Sequence, residues 1–290
     1  MRNPSRPIGA AAILCRMGIG ELADFVSRHS RLFVLTGAGC STDSGIPDYR
    51  DADGAWKRAG PMTFQTFIGD ARARQRYWAR SLVGWPRFRR ARPNGAHAAL
   101  ARLEAEGRIE LLVTQNVDRL HQAAGQRRVV DLHGRLDVVR CMSCARTLPR
   151  DLLQQELLER NPEFANLSAD YAPDGDADLE NVDFSAFDVP SCSCGGILKP
   201  DVVFFGESVP RERVTTAMQA LARADAMLVI GSSLMVFSGF RFARAAAEAG
   251  KPIAALNLGR TRADDLLTLK VSAPCAQTLG LVLGREASPA

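Results

Sequence analysis

The fold is decided by the stretch LFVLTGAGCSTDSGIPDYR, residues 32–50. It begins with an apolar run, Leu32–Thr36, that is typical of a buried strand, and it continues into a turn that contains Gly37 and Gly39. Glycine lets the backbone approach a diphosphate closely, and the N-terminus of a following helix would favour an anion. The spacing is not G-x-G-x-x-G, because the third glycine, Gly45, comes late. The turn alone therefore indicates either a nucleotide site or an ordinary strand-to-helix connection.

Strand patterns that alternate with helix patterns recur along the rest of the chain. The further predicted strands are Ile109–Thr114, Val129–Leu132, Met227–Ile230 and Ile253–Leu256, and the predicted helices are Asn94–Glu106, Arg211–Ala224 and Phe240–Ala249. This alternation predicts an α/β fold with a Rossmann-like, mostly parallel sheet that is covered on both faces. Ligands of such sheets bind beyond the carboxyl ends of the strands.

Two segments interrupt the alternation and predict a smaller lobe. The first is rich in arginine and aromatic residues and is mostly helical in pattern, and the second carries two cysteine pairs around an acidic loop. We expect one domain over residues 1–290. Its predicted parts are a Rossmann-like nucleotide-binding lobe (20–50, 94–137 and 200–285), a helical insertion (51–93) and a module that carries the cysteine pairs (138–199).

Composition restricts the class of protein. Of 290 residues, 46% are hydrophobic, and no run approaches the roughly 18 apolar residues of a membrane span. The net charge of +5 could suit nucleic acid, but the arginines cluster as solvated helix faces, and a basic balance also suits a polyanionic cofactor. We expect a monomer in the cytoplasm that binds neither nucleic acid nor a membrane. Arg2, Arg6 and Arg16, without an acidic residue among the first twenty, leave the mitochondrial matrix open for a eukaryotic source.

Four of the seven cysteines form two close pairs, Cys141/Cys144 and Cys192/Cys194. Two such pairs in a chain without a secretion signal predict one tetrahedral, structural Zn²⁺ rather than disulfides. The second pair is one residue shorter than the usual C-x-x-C, and Gly195-Gly196 could supply the backbone freedom that it needs. Four reduced cysteines without metal are the alternative. Cys15, Cys40 and Cys275 are expected to bind no metal.

Polar side chains follow two predicted strands where each strand ends. Gln115, Asn116 and Asp118 come directly after Ile109–Thr114, and His133 follows Val129–Leu132. These positions suit a ligand site better than a core, and histidine can serve as a general base near neutral pH. From position alone, a structural role for His133 is equally possible. His29, His97 and His121, the remaining histidines, are expected to be structural.

Six motifs resemble those of the sirtuin family, in the family's order, over roughly Gly20 to Leu283. Residues 37–50 resemble G-A-G-x-S-x-x-S-G-I-P-D-[FY]-R, residues 114–118 resemble T-Q-N-[IV]-D, and residues 132–134 resemble L-H-G. Residues 231–234 resemble G-[TS]-S-L, residues 257–259 resemble N-x-[GE], and residues 198–207 resemble the substrate-pairing segment. The stretch through Trp85-Pro86, together with residues 172–176, looks most like the class II branch.

The resemblance implies an NAD-dependent protein lysine deacetylase or deacylase that yields nicotinamide, O-acyl-ADP-ribose and free lysine. It implies that His133 accepts a proton from the ribose hydroxyls and that Asn116 orders substrate or water. Gln115 would contact the ribose, and Asp118 the nicotinamide amide. The NAD-binding residues that it implies are Gly37, Ala38, Gly39, Ser41, Gly45, Ile46, Pro47, Asp48, Tyr49, Arg50, Gln115, Asn116, Val117, Asp118, Gly231, Ser232, Ser233, Asn257, Leu258, Gly259 and Cys275. Taken singly, Ser232 or Ser233 could equally be a helix N-cap.

The resemblance also implies partners and leaves the acyl group open. Acylated-lysine proteins or peptides would pair along residues 198–207, with Val203, Phe205 and Gly206 on the substrate side. Tyr77 and Arg80 resemble a Tyr-x-x-Arg pair of sirtuins that remove acidic acyl groups, although Arg80 could be a plain surface residue. Protein ADP-ribosyl transfer or lipoamidase activity at the same NAD site remains an alternative. A non-catalytic NAD sensor would not need His133.

Overall fold

The computed structural model describes residues 10–57, 60–165, 167, 170–171, 177–179 and 182–285. Residues 172–176, which resemble the class II branch in sequence, lie outside the described residues. The strands are β1 (Leu32–Thr36), β2 (Ile109–Thr114), β3 (Val129–Asp131), β4 (Gly134–Cys141), β5 (Thr147–Pro149), β6 (Asp170–Tyr171), β7 (Ala177–Asp178), β8 (Leu198–Val202), β9 (Ala226–Ile230), β10 (Ile253–Leu256) and β11 (Leu269–Val271). The helices are α1 (Ala10–Arg28), α2 (Phe64–Gly69), α3 (Ala71–Arg90), α4 (Gly95–Ala105), α5 (Leu120–Ala123), α6 (Arg150–Arg160), α7 (Arg211–Arg223), α8 (Phe237–Glu248) and α9 (Cys275–Arg285).

A six-stranded parallel sheet in the order β11-β10-β9-β1-β2-β3 forms the larger lobe and confirms the predicted Rossmann-like fold. β1, β2 and β10 begin and end where the sequence predicted, and β3 and β9 differ by one residue at one end. β11 was not predicted, because it is a three-residue edge strand with an exposed residue at its centre.

Both faces of this sheet are buried, and successive side chains of a strand enter different cores. Leu32 and Val34 of β1 pack with residues of α1, α4 and α9. Phe33 and Leu35 pack against α7 and α8 on the other face. All four side chains have no measurable exposure, which explains why the strand reads as a continuous apolar run rather than an alternating one.

The smaller lobe consists of the antiparallel sheet β5-β4-β8 and the helices α2, α3 and α6. Its core is aromatic: the Tyr77 ring contacts Phe67, Trp78 and Phe204 in edge-on or tilted geometry, and Phe67 also contacts Phe204. Within the described part of the chain, no helix has both the length and the apolar character needed to cross a bilayer.

The two sheets meet immediately after β3, at His133 and Gly134. Gly134 has φ +85°, and a Cβ there would come within 2.0 Å of the Asp201 carbonyl oxygen on β8. The His133 carbonyl accepts a hydrogen bond from the Val203 N–H at 2.8 Å. The chain can therefore pass from the parallel sheet into the smaller lobe only with glycine here, and His133 is fixed at the junction.

Candidate active site

A cleft of about 1380 Å³, counting its open mouth, lies between the carboxyl edge of the parallel sheet and the smaller lobe. The predicted site residues that line it are Gly37, Ala38, Gly39, Ser41, Ile46, Asp48, Tyr49, Arg50, Gln115, Asn116, Val117, Asp118, His133, Gly231, Ser232, Ser233, Asn257, Leu258, Tyr77, Val203 and Phe205. The predicted residues that do not line it are Gly45, Pro47, Gly259, Cys275, Gly206 and Arg80. Most of the motifs, distant in sequence, thus converge on one cavity.

The glycine loop after β1 packs directly on the loop after β9. The Gly39 N–H donates to the Gly231 carbonyl at 2.9 Å, and a Cβ on Gly37 would lie 2.8 Å from the Ser232 Cβ. Two short 3₁₀ turns, Ala38–Cys40 and Thr42–Ser44, follow β1 where the sequence suggested a helix N-terminus. Close backbone approach, rather than a helix dipole, therefore shapes this wall of the cleft.

A hydrogen-bond network joins Ser41, Asn116 and Asp118. Ser41 Oγ donates to Asp118 Oδ2 at 2.7 Å, and Asn116 Nδ2 donates to Ser41 Oγ at 3.0 Å and to the Gly37 carbonyl at 3.1 Å. Both amide hydrogens of Asn116 are thereby used, so its Oδ1 is the atom that can face a ligand. Burial raises the pKa of Asp118, while hydrogen bonds from the Leu120 N–H and Ser41 oppose that rise.

Hydrogen bonds on both sides hold the imidazole of His133. Nδ1 lies 3.0 Å from the Gln115 carbonyl, to which it can only donate, so Nε2 accepts from Ser238 Oγ at 2.8 Å. The pKa of His133 is lowered to about 4, chiefly by burial and further by the positive charges of Arg213 and Arg241. His133 is consequently neutral at pH 7 and has the protonation state that a base requires.

Residues at the start of α8 support this site, and sequence reasoning missed them. Besides Ser238, these include Gly239, where a Cβ would come within 2.6 Å of Gln115 Nε2. Gln115 Oε1 accepts a 2.6 Å hydrogen bond from Ser232 Oγ, so the amide is held between β9 and α8. The only available signal was a Ser-Gly pair at the start of a helix, which reads as an ordinary turn.

The loop that carries Arg50 folds onto itself and reaches the smaller lobe. The Arg50 guanidinium lies 3.8 Å from the centroid of the Trp56 ring and donates to the Gly54 carbonyl at 2.7 Å. Trp56 contacts Phe205 edge-on at 5.5 Å between centroids, and both rings are more than a third exposed. Trp56 was not predicted, although a large aromatic residue in a polar loop was a usable signal.

Part of the cleft wall is apolar. Tyr77 lines it together with Met62, Phe88, Leu136, Val202 and Phe204, of which only Val202 and Phe204 lie in a segment that the sequence singled out, residues 198–207. Arg80, three residues after Tyr77 on α3, points elsewhere, and its Nε donates to the Ala177 carbonyl of β7 at 2.8 Å. Arg50 is the only arginine or lysine among the described residues that line the cleft.

The four cysteines of the smaller lobe fit one structural Zn²⁺, as the sequence predicted. Their Sγ atoms all lie within 4.8 Å of one another, with Cys141 to Cys194 at 3.5 Å and Cys144 to Cys192 at 3.7 Å. A tetrahedral ion with Zn–S bonds of about 2.3 Å separates sulfurs by about 3.8 Å. Gly195, at φ +80°, makes the tight C-x-C turn possible. Backbone N–H donation, first from Cys144, lowers the pKa of Cys141 to about 6 and favours the thiolate.

Known proteins resemble this chain closely. Residues 37–238 match the sequence model of the Sir2 family. An NAD-dependent protein deacetylase of Xanthomonas campestris pv. campestris (strain 8004) is 68% identical over 262 residues, which are 90% of this chain and 89% of that protein. NAD-dependent protein deacetylase 2 of Bradyrhizobium diazoefficiens is 66% identical over 264 residues, 91% and 97% of the two chains.

Solved structures share the fold. A structure of Sir2 with a p53 peptide and NAD⁺ has a TM-score of 0.75 and 29% identity, and the similarity covers 92% of this chain and 98% of that one. A structure of Sir2 bound to an acetylated peptide has a TM-score of 0.72 and 28% identity, with coverage of 92% and 98%.

Proposed function

Because this chain belongs to the Sir2 family and is an NAD-dependent protein deacetylase, we propose that His133 is its general base. The observation that carries the proposal is the pair of hydrogen bonds on the imidazole. Nδ1 donates to the Gln115 carbonyl, which leaves the lone pair of Nε2 as the proton acceptor. The Ser238 hydroxyl now occupies that lone pair, so a ribose hydroxyl of the bound substrate must take its place.

The cleft wall supports an NAD site that runs from the Gly37–Gly39 turn to the strand ends. We assign the diphosphate to that turn, where backbone can approach closely. The adenosine half would lie along Ser232, Ser233, Asn257 and Leu258, at the ends of β9 and β10. NAD supplies an electrophilic ribose carbon with nicotinamide as its leaving group. Asn116 Oδ1 and Asp118 would orient the ribose and the nicotinamide amide, because the Ser41 network fixes both side chains.

We further propose that the site prefers uncharged acyl chains, including chains longer than acetyl. The support is the apolar wall around Tyr77, which would solvate a hydrocarbon chain but not a carboxylate. Arg80, the cation that could have paired with an acidic acyl group, is engaged with the Ala177 carbonyl outside the cleft. A lipoyl chain fits the same description, so lipoamidase activity is the second candidate.

We expect a substrate peptide to lie alongside β8, in a groove that Val203 and Phe205 line on one side. Both residues line the cleft, and the Val203 N–H donates to the His133 carbonyl at 2.8 Å. We propose that the protein acts as a monomer without nucleic acid. We also assign NAD binding to residues 20–50, 94–137 and 200–285, with 51–93 and 138–199 forming the acyl side and the zinc module.

The test is NAD⁺-dependent nicotinamide release with lysine peptides that carry acetyl, lipoyl, succinyl or branched acidic acyl groups. Wild-type protein should turn over the uncharged peptides with formation of O-acyl-ADP-ribose, at a kcat/KM at least about tenfold above the acidic ones, because a desolvated carboxylate is costly. The His133→Ala variant should stay folded and bind NAD⁺ but lose turnover by a factor of about 10² to 10⁴.

Three outcomes would contradict the proposal. Normal turnover in the His133→Ala protein would remove His133 as the base. A preference for succinyl peptides would mean that Arg80 reaches the acyl chain. If nicotinamide were released while a protein became modified by ADP-ribose, mass spectrometry of that protein would assign ADP-ribosyl transfer instead.

A further inference from the structure

An exposed phenylalanine surrounded by arginines lies beside the cleft. Phe237, the first residue of α8, is 45% exposed. The guanidinium carbons of Arg241, Arg244 and Arg262 lie 5.2, 5.4 and 6.0 Å from the centroid of its ring. We call these four residues the basic rim. Three positive charges thus surround one exposed aromatic side chain.

The positive charge of the basic rim is only partly balanced within the described residues. Arg244 forms an ion pair with Glu248 at 3.5 Å, and both side chains are more than half exposed. In the described part of the chain, neither Arg241 nor Arg262 forms an ion pair. Arg262 Nη1 donates to the neutral carbonyl of Met235 at 3.3 Å, and Arg241 Nε is buried without a hydrogen-bond partner. Because like charges repel, an anion from outside the chain would stabilise this cluster.

The basic rim borders the cleft in which we expect the substrate peptide to lie. Met235 and Val236, which directly precede Phe237 in the chain, both line that cleft. Arg241 is also close enough to His133 for its charge to lower the pKa of the imidazole. An extended peptide advances about 3.3 Å per residue. Side chains a few positions from an acyl-lysine at His133 would therefore come within reach of the arginines.

The chemistry of the basic rim suits the carboxylate of an aspartate or glutamate side chain. A guanidinium can donate two parallel hydrogen bonds to a carboxylate. Arg262 lies 4.4 Å from the centroid of the Phe240 ring, and an arginine that stacks on a ring is already oriented before it binds. The cluster spans about one turn of α8 and the adjacent Arg262. It therefore fits a single carboxylate better than the long row of phosphates in a nucleic acid.

We propose that the basic rim makes the enzyme select acyl-lysines that have an acidic residue close by in the substrate protein. The inference rests on the proposed function, because it concerns the substrates of the same cleft. It adds a second element of selectivity. The apolar wall around Tyr77 selects an uncharged acyl chain, and the basic rim selects a negatively charged flanking sequence.

The test compares acetyl-lysine peptides that carry a single glutamate, or a glutamine in its place, at each position near the lysine. Peptide affinity is measured by calorimetry on the full-length protein without NAD⁺, and kcat/KM is measured with NAD⁺. At one or more positions, the wild-type protein should bind the glutamate peptide about threefold more tightly or better. The preference should weaken as salt is added, because exposed charges are screened.

The variants Arg244→Gln and Arg262→Gln should each reduce the ratio of glutamate to glutamine affinity, and the double variant should bring it close to one. Since each ratio is taken within one variant, a general loss of affinity cancels. Arg102→Gln is the matched control. Like Arg244, Arg102 is exposed and pairs with a glutamate four residues later, but it lies on α4, which packs on the opposite face of the parallel sheet. The control should keep the wild-type ratio.

Equal affinity for the two peptides at every position, or an unchanged ratio in both variants, would overturn the proposal. Variants that lose affinity for a DNA oligomer but not for the glutamate peptide would also overturn it, and would assign the basic rim to nucleic acid. Deacetylation without a preference for glutamate would contradict only this inference. A protein that binds the glutamate peptide more tightly but turns over neither peptide would contradict only the proposed function.

Discussion

At the scale of single residues, the neighbours of His133 in the folded protein, rather than its position in the sequence, determine its protonation state. Burial removes the water that would stabilise an imidazolium, and the charges of Arg213 and Arg241 disfavour it further. The Gln115 carbonyl raises the pKa instead, because it accepts a hydrogen bond from Nδ1–H. The balance leaves a neutral imidazole whose tautomer is fixed.

This balance predicts the pH dependence of catalysis. The pKa of His133 is lowered from 6.5 to about 4 in the folded protein, so kcat/KM should not fall between pH 7 and pH 5 through this group. It should decrease only as the pH approaches about 4, where the base becomes protonated. Because the unfolded chain binds this proton at higher pH than the folded one, the associated stability is present above pH 6.5 and is lost as the pH falls toward 4.

The measurement is kcat/KM against pH, with circular dichroism at each pH to show that the protein is still folded. The His133→Ala variant provides the baseline. An inflection near pH 6.5 that disappears in that variant would mean that His133 is exposed to water and would contradict the buried geometry.

At the scale of elements, the connection from β3 to β4 depends on one glycine. Gly134 combines a positive φ with a backbone atom of β8 at 2.0 Å from the position of a Cβ. Gly125 has a similar positive φ, +97°, but no atom within 4 Å of that position. A comparison of alanine substitutions at Gly125 and Gly134 therefore separates the cost of an unfavourable φ from the cost of a steric clash.

We expect Gly125→Ala to lower the free energy of unfolding by only about 1–2 kcal/mol, the usual penalty for a side chain at positive φ. Gly134→Ala should cost more than about 3 kcal/mol and should reduce activity, because β4 and β8 must separate beside His133. Urea unfolding of both variants checks this. Equal destabilisation would mean that β4 and β8 can shift apart without cost.

At the scale of the whole molecule, the zinc cysteines belong to the smaller lobe, whose aromatic core is distinct from the two cores on the faces of the parallel sheet. Cys141 is fully buried and packs in the same cluster as Phe67, Tyr77 and Trp78. That cluster also contains Phe204, which lines the cleft. Loss of zinc should therefore disturb the side of the cleft that Phe204 lines before it disturbs the parallel sheet.

The Cys141→Ser variant should lose one zinc per chain and about 3 kcal/mol or more of stability, which lowers the Tm by roughly 6–12 °C. Hydrogen exchange should become faster in β4 and β8 but remain slow in β1, β2 and β9. Cys275→Ser, outside the four-cysteine set, should keep the zinc. Unchanged zinc content in Cys141→Ser would refute the assigned ligand set.

The amino-acid sequence by itself determined the parallel sheet, the glycine turn, the cysteine quartet and the family. These features depend on interactions between residues close in the chain: apolar runs such as Leu32–Thr36, glycines where backbones approach, and pairs such as Cys141/Cys144. Local patterns of this kind can be recognised in the sequence without knowledge of the structure. The motif residues could also be assigned to one cleft, since carboxyl ends of parallel strands share an edge.

Only the tertiary structure decided which side chains meet across long separations in the chain. Ser238 reaches His133 over 105 residues, and Arg80 is drawn to Ala177 over 97 residues, away from the cleft. The apolar wall around Tyr77 likewise brings together residues that are far apart in the sequence, such as Met62, Leu136 and Phe204. Neither the spacing nor the composition of the sequence encodes such contacts, because each depends on the relative placement of whole helices and strands.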